Sequence, residues 1–112
     1  MIYNKTNEIN GFDWDLGNIT KNFEKHGITI IETEEVFFNT PLIFLDHKHS
    51  NGEKRFHAYG PSNNKQLLLV AFTVRKKISK NLIRVISVRR MSKNERLFYE
   101  KESKKRKTSE RK

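Results

Sequence analysis

Leu82-Ile83-Arg84-Val85-Ile86-Ser87-Val88-Arg89-Arg90 has the branched, apolar composition of a β-strand, yet it carries three arginines and a serine. Arginine stems pack well on apolar surface at solvated strand ends, which gives a structural reading. The functional reading is a rigid sheet that presents cations to an anion. Alternate residues of a regular strand face opposite ways, so Arg84 and Arg89 can share a face only through a bulge or at a sheet edge.

Upstream, residues 66–74 are almost continuously apolar, as in a strand covered on both faces. A polar link at 76–81 joins the two. Residues 53–59 alternate, with Glu53, Arg55, His57 and Tyr59 on one side and Lys54, Phe56 and Ala58 on the other, before a turn at 60–64. A short strand at 42–45 and a polar loop at 46–52 precede them. Together these segments predict an antiparallel meander with its central strand most buried.

The N-terminal part reads differently. A strand over 9–15 holds Phe12 and Trp14, and Leu16, Ile19, Thr20 and Phe23 then fall at helical spacing up to Lys25-His26, with Gly27 as the stop. Thr29 and Glu32 form a capping box for a helix over 30–38, which Pro41 cannot continue. Ser92 and Glu95 form a second box, for a short helix through Leu97, Phe98 and Tyr99. Residues 101–112 hold seven Lys/Arg, two Glu and no apolar side chain, which predicts a basic disordered tail after a single domain over 1–100. The expected class is α+β, with N-terminal helices on one face of a mostly antiparallel sheet and a short C-terminal helix.

The net charge is +10, and its distribution is uneven. Residues 1–46 hold three Lys/Arg against eight Asp/Glu, while residues 47–112 hold twenty against five. A basic half of this kind attracts phosphate-rich partners. Cysteine is absent, which excludes a disulfide scaffold and a thiol nucleophile and fits the cytoplasm. No segment approaches the roughly 20 apolar residues of a membrane span, nor is there a signal-peptide run in the first fifteen residues.

Asp46-His47-Lys48-His49 reads as a polar loop rather than a metal site, because a lysine separates the histidines and no other ligands support them. No cofactor is implied. The remaining chemistry is a cation-rich sheet of Arg55, His57, Arg75, Arg84, Arg89 and Arg90, with Tyr59, Thr73 and Ser87 as hydroxyl donors. Metal-free RNA cleavage needs a base for the 2′-hydroxyl, an acid for the leaving 5′ oxygen and cations for the phosphorus centre. Alternatively, the arginines pair with Glu53, Glu95 and Glu100 in surface networks, or form a non-catalytic RNA-binding or co-repressor face. Glu95 reads first as a helix cap, and His26 as a cation at a helix C-terminus.

The order and spacing of these residues resemble the BrnT family of ribonuclease toxins from bacterial type II toxin–antitoxin systems. The resemblance runs from Phe12-Asp13-Trp14-Asp15 through Asn22-Phe23-Glu24-Lys25-His26-Gly27, Val36-Phe37 and Pro41. It continues through His49-Ser50-x-Gly52-Glu53-x-Arg55, Gly60, Thr73-x-Arg75 and Arg84-Val85-Ile86-Ser87-x-Arg89-Arg90 to Glu95 and Tyr99. It implies a RelE-like fold and an RNA-cleaving activity that blocks translation. It also implies neutralisation by a BrnA-type antitoxin in a hetero-oligomer, such as a heterotetramer, and repression of the operon through antitoxin-bound operator DNA. The residues it marks for catalysis are Lys25, His26, Glu53, Arg55, Arg75, Arg84, Ser87 and Arg89. The candidates for RNA binding are Arg55, Thr73, Arg75 and Tyr99 from the resemblance, with His57 and Arg90 from the cation-rich sheet; the resemblance also carries Glu95. Val88 and Met91 stand where the family has smaller residues, a departure that could reshape the strand end, and the basic tail is not a general family feature.

Overall fold

The computed structural model describes residues 9–110; the side chains of residues 18, 22–24 and 108–110, Phe23 among them, lie outside that description. The order along the chain is β1 (Gly11–Phe12), α1 (Leu16–His26), α2 (Ile30–Phe38), β2 (Leu42–Leu45), a 3-10 turn (His47–His49), β3 (Arg55–Pro61), β4 (Leu67–Lys77), β5 (Lys80–Arg90) and α3 (Lys93–Glu110). The five strands form one sheet in the order β1-β5-β4-β3-β2. The most apolar strand, β4, lies at its centre. Strands β2 to β5 pair antiparallel, and β1 joins the β5 edge in parallel, so the sheet is mixed.

One face of the sheet is dry. Phe56 and Ala58 from β3, Leu68, Val70 and Phe72 from β4, and Ile83, Val85 and Val88 from β5 form its buried core with Ile28 and Val36. Phe37 of α2 meets Phe72 edge-on at 5.1 Å, and Phe72 stacks on Phe56 at 5.5 Å. Strand β3 passes close to α2 at Gly60, where a Cβ would stand at van der Waals distance, 3.4 Å, from Val36 and Pro41. Local signals set the helix ends. Thr29 and Glu32 make the reciprocal capping box, with both bonds at 3.1 Å, and Gly27 takes the left-handed φ of +68° that closes α1.

The structure corrects four boundaries. The first strand is two residues rather than seven: Gly11 and Phe12 pair with Leu82 and Ile83, and the N–H groups of Asn10 and Asp13 close the short ladder on the carbonyls of Asn81 and Ile83 at 2.8 Å each. Strand β3 begins at Arg55, leaving Glu53 in the preceding loop, and runs on to Pro61 within the segment read as a turn. The link at 76–81 is mostly strand: β4 and β5 continue to Lys77 and Lys80 around a turn of Ile78 and Ser79, both left-handed at φ 47° and 64°. Such turns favour Asn-Gly, whereas Ile78 is β-branched and 97 % exposed. Ile78→Asn with Ser79→Gly is therefore expected to stabilise the protein by about 1 kcal/mol, read as a melting temperature several degrees higher.

The fourth correction concerns the tail, where α3 continues to Glu110 instead of ending near residue 100. A segment without apolar residues cannot build a core, but lysine, arginine and glutamate are good helix formers once the first turns are anchored. Glu102 and Lys105 pair at 3.5 Å along the helix. Arg106 donates to the carbonyls of Thr40 at 2.8 Å and Pro41 at 3.2 Å, which holds the far half of α3 against the body.

Candidate active site

The register assigns the other face of the sheet. Reading across β3, β4 and β5, it carries three rows: Arg55–Thr73–Arg84, then His57–Ala71–Ser87, then Tyr59–Leu69–Arg89. A β-bulge makes this possible. Between Phe72↔Val85 and Ala71↔Ser87 the register shifts, with Ile86 as the extra residue on β5. The added residue reverses the alternation, so Arg84 and Arg89 lie on the same face and Arg90 on the other. Arg90 accordingly donates to the carbonyl of His26 at 2.8 Å, at the C-terminus of α1.

Helix α3 crosses the third row. The ring of Phe98 sits 5.3 Å from those of both Phe44 and Tyr59, and Glu95 receives Arg89 in a two-pronged ion pair at 2.6 and 2.7 Å. The same carboxylate accepts the backbone N–H of Ser92 at 2.8 Å, and the Ser92 hydroxyl accepts the N–H of Glu95 at 3.2 Å, so the second capping box is also present. The Arg89 bond, together with the Ser92 bonds and against partial burial, lowers the Glu95 pKa from 4.5 to about 2. Because the folded value lies below the unfolded one, the stability this pair gives is complete above pH 4.5 and is lost as pH falls toward 2. With Arg89 45 % exposed, solvent screening leaves about 1–2 kcal/mol. Glu95→Gln is expected to lower stability by that amount at neutral pH and to flatten acid unfolding below pH 4.5, measured by denaturant titration across pH.

Opposite α3 the face opens into a pocket of about 270 Å³, lined by His49, Glu53, Arg55, Thr73, Arg75 and Arg84 among others. Its arginines are held by carboxylates at the rim: Arg75 lies 3.6 Å from Glu53, and Arg84 lies 3.1 Å from Asp15 and 3.8 Å from Asp13. Thr73 is 4 % exposed, and its hydroxyl has no hydrogen-bond partner among the described residues. A buried donor among three guanidinium groups suits an oxyanion.

Beside this pocket stands His57. Its Nε2 lies 3.3 Å from Oδ2 of Asp46, and the same oxygen is 2.9 Å from Nδ1 of His49. Asp46 is 8 % exposed at its side chain, and Oδ1 also accepts the His49 N–H at 3.3 Å, capping the 3-10 turn. Ser50 pins the loop by donating to the Asp46 carbonyl at 2.5 Å and accepting the Arg55 N–H at 3.0 Å. Burial lowers the His57 pKa, aided by Arg89, His49 and Arg55 and opposed by Asp46, so the ring is neutral near pH 7. Burial raises the pKa of Asp46, but the His49 hydrogen bond and the nearby His57 and His49 outweigh it, keeping the carboxylate ionised. Among the described residues, no group of three or more His, Asp or Glu is arranged to hold a metal ion.

The structure thus gathers Glu53, Arg55, His57, Thr73, Arg75, Arg84, Ser87 and Arg89 on one face. Lys25 and His26 end α1, which packs by Arg90 and Val88 on the opposite side, and Tyr99 is half-buried on α3. Val88 and Met91 are 1 % and 5 % exposed, so both side chains lie in the interior, and neither lines the pocket.

A family model described as the ribonuclease toxin BrnT of a type II toxin–antitoxin system matches residues 14–95. The chain belongs to the BrnT family. The crystal structure of the Brucella abortus ribonuclease toxin BrnT superposes with a TM-score of 0.54 at 22 % identity, covering 74 % of this chain and 97 % of that one. At that identity the likeness establishes the fold. Comparison with curated proteins gives no match. The BrnT match spans both arginine-bearing strands and ends at Glu95, in the first turn of α3, so most of that helix lies beyond it. As a type II toxin family, BrnT implies a protein antitoxin partner. No helix among the described residues is long and apolar enough to cross a membrane.

Two residues of the BrnT groove escaped the sequence reading. Asp46 and His49 were assigned to a polar loop, and the signal for their role was their own spacing, since an aspartate three residues before a histidine can cap the turn and hold the ring.

Proposed function

We propose that this protein is a metal-independent endoribonuclease whose active site is the groove between the Arg55–Thr73–Arg84 row and α3. The observation that carries this reading is the bulge at Ile86, which sets Arg84 and Arg89 on the same face as His57. The Asp46 carboxylate faces Nε2 of His57 and holds the ring's one proton there as a donor, leaving Nδ1 of the neutral ring to accept the proton of an RNA 2′-hydroxyl. The oxyanion then attacks the adjacent phosphorus. Arg84, Arg55 and Arg75, with the Thr73 hydroxyl, stabilise the charge that develops on the phosphate oxygens. The 5′ oxygen departs with a proton from a neighbouring group, and Tyr59 and His49, both beside His57, carry protons that can be transferred. Ser87 contacts the flanking nucleotide, Arg89 holds the α3 wall of the groove through Glu95, and Glu53 releases Arg75 when phosphate arrives.

Cleavage of cellular RNA by this route stops translation. An antitoxin of the BrnA type, acidic or apolar where it meets the toxin, covers the groove in a hetero-oligomer and supplies the contact with operator DNA for repression. Induced expression of the chain alone is expected to arrest growth and fragment RNA together, and co-expression of the antitoxin to prevent both. Growth arrest with intact RNA would favour the reading of the groove as a binding face without catalysis.

A further inference from the structure

The groove is open at the pocket end and walled at its Arg89 end by α3, so an RNA strand that follows the β-strands must leave it across that helix. The surface it meets there is basic. Lys93, Arg96, Lys101, Lys104 and Lys107 are all exposed, and at 100° per residue they fall on the side of α3 away from Phe98, Glu102 and Arg106. Among the described side chains, Glu100 is the one acid on that side. The stripe runs about 21 Å from Lys93 to Lys107, a reach of several nucleotides.

From these observations we infer that the outer face of α3 is a second, sequence-independent RNA-backbone site that holds the substrate flanking the cleaved bond. The inference rests on the groove's being the place where RNA is bound. Two features separate it from a merely solvated helix face. Its far half is not left to fray, because Arg106 spends both terminal nitrogens on the carbonyls of Thr40 and Pro41. Its charge also continues the cationic face across the wall formed by Arg89 and Glu95, while the acidic residues of α2 lie on the opposite side of the sheet, where Phe37 packs on Phe72. An exposed lysine row contacts phosphates as point charges, which supplies affinity without base choice. This half of α3 lies beyond the segment that the family model matches.

The test uses the full chain and two uncleavable 2′-O-methyl oligonucleotides, one of about 3 nucleotides that fills the groove and one of about 15 that also crosses α3. Lys101→Gln, Lys104→Gln and Lys107→Gln are combined, since glutamine keeps helix propensity and removes charge. The long oligonucleotide is expected to bind the triple variant roughly 10- to 100-fold more weakly, and the slope of log affinity against log salt to shrink by about 2, as for three lost single-strand phosphate contacts. Binding of the short one should not change. Equal affinity and salt slope for the long oligonucleotide would overturn the inference. So would a loss confined to duplex operator DNA or to the antitoxin. Cleavage of unmodified short RNA by the parent reports on the groove separately, so failure of the ribonuclease reading and failure of the α3 site give different results.

Discussion

His57→Ala is expected to lower RNA cleavage by about 10²–10⁴-fold, the usual contribution of a positioned general base, while the protein stays folded. His57 is half-buried on the solvent side of β3, where it faces Asp46, so truncation leaves the core of Phe56, Ala58 and Phe72 untouched. Asp46→Asn separates positioning from chemistry. The amide still caps the 3-10 turn, yet it no longer fixes the proton on Nε2 or offsets the other influences on the ring. Because burial already lowers the His57 pKa below 6.5, kcat/KM of the parent should fall with decreasing pH through an apparent pKa below 6.5. In Asp46→Asn that limb should move to still lower pH and kcat should drop. A purely structural Asp46 would change the melting temperature and leave the pH profile where it was.

The second large effect is expected at the arginine pair, and it should be unequal. Arg84 is 26 % exposed at the pocket, with one terminal nitrogen hydrogen-bonded to Asp15 at 3.1 Å and the other 3.8 Å from Asp13, so an arriving phosphate competes with these carboxylates for its planar donor fork. Lysine keeps the charge and loses the fork. Arg84→Lys should therefore keep a melting temperature near that of the parent and lose most cleavage, by roughly 100-fold or more. Arg89 already spends both terminal nitrogens on Glu95. Arg89→Lys is expected to cost about 1 kcal/mol of stability and to reduce cleavage less, because its main task is to brace α3 against β5. Near-parental cleavage by Arg84→Lys would assign that arginine to packing at the strand end.

Much of this architecture could be read from the chain because the signals were local. Thr29 with Glu32, Ser92 with Glu95 and the glycine at 27 state their helix ends within four residues, and the alternation of Arg55, His57 and Tyr59 against Phe56 and Ala58 states the two faces of β3. What escaped were features decided at long range. The bulge at Ile86 depends on how β5 registers on β4, and nothing in the residues Val85-Ile86-Ser87 marks it, although the paradox of two arginines at odd spacing required something of the kind. The convergence of Asp46, His49 and His57 needs β3 folded back beside the loop. The length of α3 was missed because the lack of apolar residues was read as disorder, when one arginine reaching two carbonyls across the fold anchors the helix.

The central claim is that this face cleaves RNA through its own 2′-hydroxyl with no metal ion. The direct measurement is the chemistry of the ends: the purified chain is incubated with a defined RNA in EDTA, and the new termini are identified by mass spectrometry, with a parallel RNA carrying 2′-deoxyribose at the cleaved nucleotide. The expected products are 2′,3′-cyclic phosphate and 5′-hydroxyl ends in EDTA, with no cut at the deoxy position. Cleavage that appears only with added divalent metal, leaves 3′-hydroxyl and 5′-phosphate ends and ignores the deoxy substitution would contradict it.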